Sequence, residues 1–106
     1  MNRQLTMLIV DDMEVERISF AEIFKDEYQI LEAENGKQAM EQLEQQKVHI
    51  VLLDLCMPVM DGFEVIREMK QQDKYADIPI VAKTAIDEKT EVKALEAGAD
   101  EYIFSV

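Results

Sequence analysis

The sequence predicts an α/β fold, a doubly wound parallel sheet of five strands, and three observations carry that prediction. Segments rich in strand formers alternate with amphipathic helical segments along the whole chain, which is the pattern of repeated βα units. The strand-like segments include near-continuous apolar runs such as Ile50-Val51-Leu52-Leu53, as expected of strands buried on both faces. The first and third runs both end on carboxylates, Asp11-Asp12 and Asp54, at the rim where open α/β sheets bind ligands. Right-handed crossovers would then put helices on both sheet faces.

The first strand is Thr6-Met7-Leu8-Ile9-Val10. From Glu14 to Phe24 the apolar residues Val15, Ile18, Ala21 and Phe24 recur at helical spacing, with Phe20 and Ile23 widening the face. Tyr28 to Ala33 reads as a second, shorter strand, and Asn35-Gly36 turns the chain into a helix with Ala39, Met40 and Leu43 on one side. The third strand ends at Asp54, because Pro58 has no N–H to continue a ladder. Asp61 is placed to cap a helix that starts near Phe63 and buries Phe63, Ile66 and Met69, with Val65 alongside. Ile78-Pro79-Ile80-Val81-Ala82 is the fourth strand, ending at Lys83-Thr84-Ala85. Glu88 to Ala97 is the fourth helix, and Gly98 is suited to a left-handed C′ position. Tyr102-Ile103-Phe104 is the fifth strand. Five strands and four helices leave one sheet face short of cover.

At 106 residues the chain has the length of one domain. Its formal charge of −12 weighs against direct binding to nucleic acid or to an anionic membrane surface. No apolar run approaches the ~20 residues needed to span a bilayer, and the N-terminus lacks a signal-peptide core. Cys56 is the only cysteine, so no internal disulfide is available. A cytoplasmic protein is the expectation. His49 has no second metal-type ligand near it in sequence and reads as a surface or edge residue.

If the first and third strands are neighbours, Asp11, Asp12 and Asp54 converge at one rim. Clustered carboxylates repel unless a cation neutralises them, and a hard ion such as Mg²⁺, held by carboxylates, a backbone carbonyl and waters, suits them. An N-cap and a dipole-favoured acid would account for one of the Asp11-Asp12 pair, but not for both opposite a third strand-end Asp.

The chain up to about Ile103 strongly resembles the receiver domain of two-component response regulators. The resemblance rests on Val10-Asp11-Asp12, the stretch from Asp54 to Gly62, Thr84-Ala85, and Gly98-Ala99-Asp100-Glu101-Tyr102, in that order and spacing. It implies a flavodoxin-like sheet of order 2-1-3-4-5 in a single receiver domain, residues 1–106, truncated after its fifth strand with the fifth helix absent. It also implies that Asp54 is the phosphoacceptor, and that Asp11, Asp12 and Asp54 hold Mg²⁺ together with the backbone carbonyl of Cys56, with Asp12 the preferred direct ligand. Thr84 would contact the phosphoryl group, and Tyr102 would be the aromatic residue that switches. The implied partners are a sensor histidine kinase or phosphotransfer protein, with a C-terminal output domain or a second copy over the uncovered sheet face.

The family follows its fifth strand with a Lys-Pro pair, and Ser105-Val106 stand there instead. Lys83 adjoins Thr84, but neighbouring strand residues face opposite ways, so Lys83 is expected to aim away from the site. The Cys56 thiol, beside carboxylates, is expected to be unreactive. A phosphatase of the haloacid dehalogenase type wants a second Asp where Cys56 stands, and a flavodoxin needs a hydroxyl-rich phosphate loop where Asp11-Asp12-Met13 stands. Neither fits. The expectation is therefore a phosphorylatable signalling receiver that is not an enzyme. Its rival is a degenerate receiver serving as a protein-interaction module without full phospho-switching.

Overall fold

Parallel strands buried on both faces satisfy their backbone groups only through neighbouring strands, so the apolar runs assemble side by side. The computed structural model describes residues 4–55, 60–85 and 88–105. Its elements are β1 (Leu5–Val10), α1 (Glu14–Phe24), β2 (Tyr28–Ala33), α2 (Gly36–Gln45) and β3 (Ile50–Asp54), followed by α3 (Gly62–Lys70), α4 (Asp73–Ala76), β4 (Ile80–Ala85), α5 (Glu88–Ala97) and β5 (Glu101–Ser105). The sheet is all parallel, in the order β2-β1-β3-β4-β5, the flavodoxin-like arrangement the sequence implies.

Strand alternation sorts the side chains into two unequal layers. On one face Leu8, Val10, Val51, Leu53, Ile80 and Ala82 meet α2, α3, α4 and α5 in the main core. On the other, Met7, Ile9 and Leu52 form a much smaller cluster, against which Phe20, Ala21 and Phe24 of α1 pack. Among the described residues α1 is the only helix on that face. None of its residues is buried, and Val15, Ile18 and Ile23 are exposed. The apolar stripe read from the sequence is therefore rotated: Phe20, Ala21 and Phe24 touch the sheet, while the other half of the stripe faces outward.

Helix ends follow the expected chemistry. Asn35 and Asp61 cap α2 and α3, their side chains accepting from the backbone N–H groups of Gln38 and Glu64. Gly98, with φ of +121°, closes α5: its N–H donates to Leu95 and that of Ala99 to Ala94, a Schellman pairing.

Two expectations are corrected. The count of four helices missed α4, a single turn between α3 and β4, too short to show a helical period and marked only by the buried Tyr75. The fourth strand, Ile80–Ala85, also starts two residues later than the Ile78 read from the sequence, and its end falls within the Lys83-Thr84-Ala85 read there. Ile78 is bonded into the turn that closes α4, its N–H donating to the Tyr75 carbonyl. His49, read as a surface or edge residue, immediately precedes β3. It is half-buried and exchanges two bonds with Thr6: its Nδ1 accepts from the Thr6 N–H at 2.9 Å, and its own N–H donates to the Thr6 carbonyl. No helix among the described residues is long and apolar enough to cross a membrane.

Candidate functional site

Asp11 continues the β1 ladder, its N–H donating to the Ala33 carbonyl at 3.1 Å. Its side chain then turns the chain into α1, with Oδ1 accepting from the Met13 N–H at 2.9 Å. Arg17 fixes that corner. Its Nη1 donates to the Asp11 carbonyl at 2.8 Å and its Nε pairs with Glu32 of β2 at 2.9 Å. Asp11 itself is buried.

Asp54 closes β3 from the neighbouring strand and is half-buried. The N–H of Leu55 still donates to the Lys83 carbonyl of β4, and the N–H of Gly62 returns to the Leu55 carbonyl. Helix α3 thus begins pressed against the end of β3. The approach is so close that a Cβ on Gly62 would lie 2.5 Å from the Asp54 carbonyl oxygen.

The sheet order makes β1 and β3 neighbours, so the carboxylates of Asp11, Asp12 and Asp54 converge. One ligand oxygen from each lies within 4.8 Å of the others. The burial is graded, with Asp11 buried, Asp54 intermediate and Asp12 exposed. A set of hard oxygen donors open to solvent on one side fits a divalent cation that keeps several of its waters, as Mg²⁺ does. Both Asp11 oxygens already accept a hydrogen bond, from Met13 and Lys83, whereas Asp12 is exposed.

Lys83 does not aim away from the site, and here the sequence expectation is overturned. Because β4 runs on to Ala85, Lys83 is the register partner of Asp54, and partners in a parallel pair share a face. The alternation rule holds, but the acidic site lies on the face of Lys83. Its Nζ bonds Asp11 Oδ2 at 2.7 Å and Glu16 Oε2 of α1, and the residue is only 5% exposed. Burial disfavours the charged ammonium, but the hydrogen bonds from Asp11 and Glu16, with the charges of Asp11 and Asp54, outweigh it. The pKa is therefore held above the ordinary lysine value.

Tyr102 of β5 pairs with Ala82 and is half-buried against the main core, on the face opposite Lys83. The backbone of Thr84 pairs with Phe104, but its hydroxyl lies outside the described part of the structure, as does Cys56 with its carbonyl. Sequence reasoning missed Glu16, Arg17 and the orientation of Lys83. A lysine following Ile80-Val81-Ala82 in a buried strand was the available signal, since a charge there needs a partner.

Residues 7–104 match the family described as the response regulator receiver domain. The chain is 40% identical over 98 residues to the chemotaxis protein CheY of Halobacterium salinarum, covering 92% of this chain and 81% of that one. It is 39% identical to the phosphate regulon transcriptional regulatory protein PhoB of Pseudomonas aeruginosa, covering 92% of this chain and 44% of the regulator. A histidine kinase of Formosa agariphila is 38% identical over a stretch that is 7% of its own length. Among solved structures, a response regulator from Chloroflexus aurantiacus described as putative superposes with a TM-score of 0.90 at 26% identity, covering 97% of this chain and 86% of the other. The chain thus spans most of the CheY relative and under half of the other two.

Proposed function

This chain belongs to the response regulator receiver domain family, and on that premise we propose that it accepts a phosphoryl group on Asp54 from a sensor histidine kinase or phosphotransfer protein. The observation that carries the proposal is the convergence of three strand-end carboxylates, with one oxygen of each within 4.8 Å of the others and Asp54 closing the central strand. In the transfer, a carboxylate oxygen of Asp54 forms a bond to phosphorus. The bond from phosphorus to the donor breaks, and the donor leaves with the electron pair, as acetate when acetyl phosphate is used. Asp12, Asp54, Asp11 and the Cys56 carbonyl would hold Mg²⁺, which when bound neutralises charge on the transferring oxygens. Asp12 is the direct ligand in this reading, since both Asp11 oxygens are already engaged. Thr84 and Tyr102 would relay the new charge to a partner surface, making the output a change of protein–protein contacts rather than turnover of a substrate.

Intact-mass measurement with acetyl phosphate tests this. The parent should gain one phosphoryl group in the presence of Mg²⁺ and lose that capacity when the metal is chelated, and Asp54→Asn should not be labelled. Labelling of Asp54→Asn equal to the parent would overturn the assignment. The same experiment separates the second reading, an interaction module without phosphorylation. Ser105 in place of the family's lysine favours that reading, and the intact acidic cluster weighs against it.

A further inference from the structure

A buried lysine in a sheet needs a reason. Val81, on the same face of β4, packs in the small apolar cluster with Leu52 and Ile103, and Lys83 follows it on that face at the acidic rim. Replacing a buried ion pair with apolar groups of similar volume is often neutral or stabilising, so stability alone is a weak reason to keep one. The partners of Lys83 are specific: Asp11 of the site at 2.7 Å and Glu16 on the first turn of α1, with Asp54 as its register partner.

We propose that Lys83 is the cationic residue of the phosphoryl site, its ammonium held between Asp11 and Glu16 until a phosphoryl group on Asp54 draws it into contact with the phosphoryl oxygens. The proposal rests on Asp54 being the acceptor. Charge balance favours it. Once Asp54 carries an acyl phosphate, Asp11, Asp12 and a phosphoryl group of about −2 leave about −4 at the rim. A divalent cation removes half of that, and one ammonium reduces the remainder to about −1. Four rotatable bonds let the ammonium swing from Glu16 towards Asp54 without moving the strand, which a planar guanidinium could not do as freely. Glu16, half exposed, is the partner it can give up at least cost, since water can replace the lost bond.

The test follows the rate of labelling by acetyl phosphate with Mg²⁺, and the affinity for beryllofluoride, a non-covalent mimic of the phosphoryl group. Labelling of the parent but not of Asp54→Asn establishes the acceptor first. Lys83→Met should then lower both rate and affinity by roughly tenfold or more, the scale of losing a charged donor to a reacting oxyanion. Adding Ser105→Lys to Lys83→Met should restore most of the loss, a rescue that a merely structural lysine would not show. Parental rate and affinity in Lys83→Met overturn the role of Lys83 and leave that of Asp54 standing, whereas labelling of Asp54→Asn removes both. A parent that neither labels nor binds beryllofluoride also removes both. Should Lys83→Met fail to fold, the parent decides: the Lys83 Cε resonance should shift on adding beryllofluoride with Mg²⁺ relative to Mg²⁺ alone, and an unmoved resonance overturns the proposal.

Discussion

A methyl group at residue 62 has nowhere to go. It would sit 2.5 Å from the Asp54 carbonyl oxygen and 2.6 Å from the Leu55 Cα, both backbone atoms that cannot rotate aside. At Gly98 the atoms nearest the added carbon belong to the Lys70 side chain, which can yield, although the positive φ would still be strained. Gly62→Ala should therefore push α3 off the end of β3. We expect a loss of about 1–3 kcal/mol in urea unfolding, the usual cost of overpacking, together with slower labelling of Asp54. Unchanged stability would show that α3 can retreat without disturbing the acceptor. At this scale the sequence was readable wherever the signal was local. Asp54 at the end of an apolar run and Asp61 as a cap need only their neighbours in the chain. Lys83 needed the register of β4 against β3, which is a tertiary pairing that no local stretch of sequence displays. The sequence reading took Thr84 as the residue facing the site and so turned Lys83 away, whereas the register pairs Lys83 with Asp54.

Among the elements, α4 has the least support in sequence and a definite job in the fold. Its one turn, Asp73–Ala76, buries Tyr75 to 5% exposure in the main core, at the point where the chain leaves α3 for β4. The turn is held by the N–H groups of Tyr75 and Ala76, both donating to the Gln72 carbonyl, and by Lys70, whose Nζ donates to the Ala76 carbonyl at 3.0 Å. So short a helix is not stable by itself, and the packing of Tyr75 must keep it in place. Tyr75→Ala should cost roughly 3–5 kcal/mol, as large aromatic truncations in cores do, and urea denaturation would measure it. A loss below about 1 kcal/mol would mean that α4 does not seal the core. Strands and long helices were legible because their periods span many residues. A four-residue turn contains one buried side chain and no period, so only the tertiary structure reveals it.

Across the whole molecule, the two sheet faces are covered unequally. Four helices close one face, while among the described residues α1 alone lies on the other, with Val15 76% exposed and Ile23 66% exposed. The sequence reading anticipated a face short of cover from the helix count. It read the apolar residues of α1 as one face, and did not anticipate that half of that face would meet solvent. Exposed apolar side chains in one region favour association, whereas a net charge of −12 on 106 residues opposes it by long-range repulsion. Salt decides between them. At 0.1 M the screening length is about 10 Å, so like charges on separate molecules largely cease to repel while apolar contact is unaffected. Sedimentation of the 106-residue chain should therefore show monomers in low salt and concentration-dependent association as salt rises, and a hydrophobic dye should fluoresce with the monomer and less with the associated form. Val15→Lys combined with Ile23→Lys should abolish both signals without loss of Asp54 labelling, since neither residue belongs to the acidic site. A chain that stays monomeric and dark to the dye at every salt concentration would show that this face is already closed.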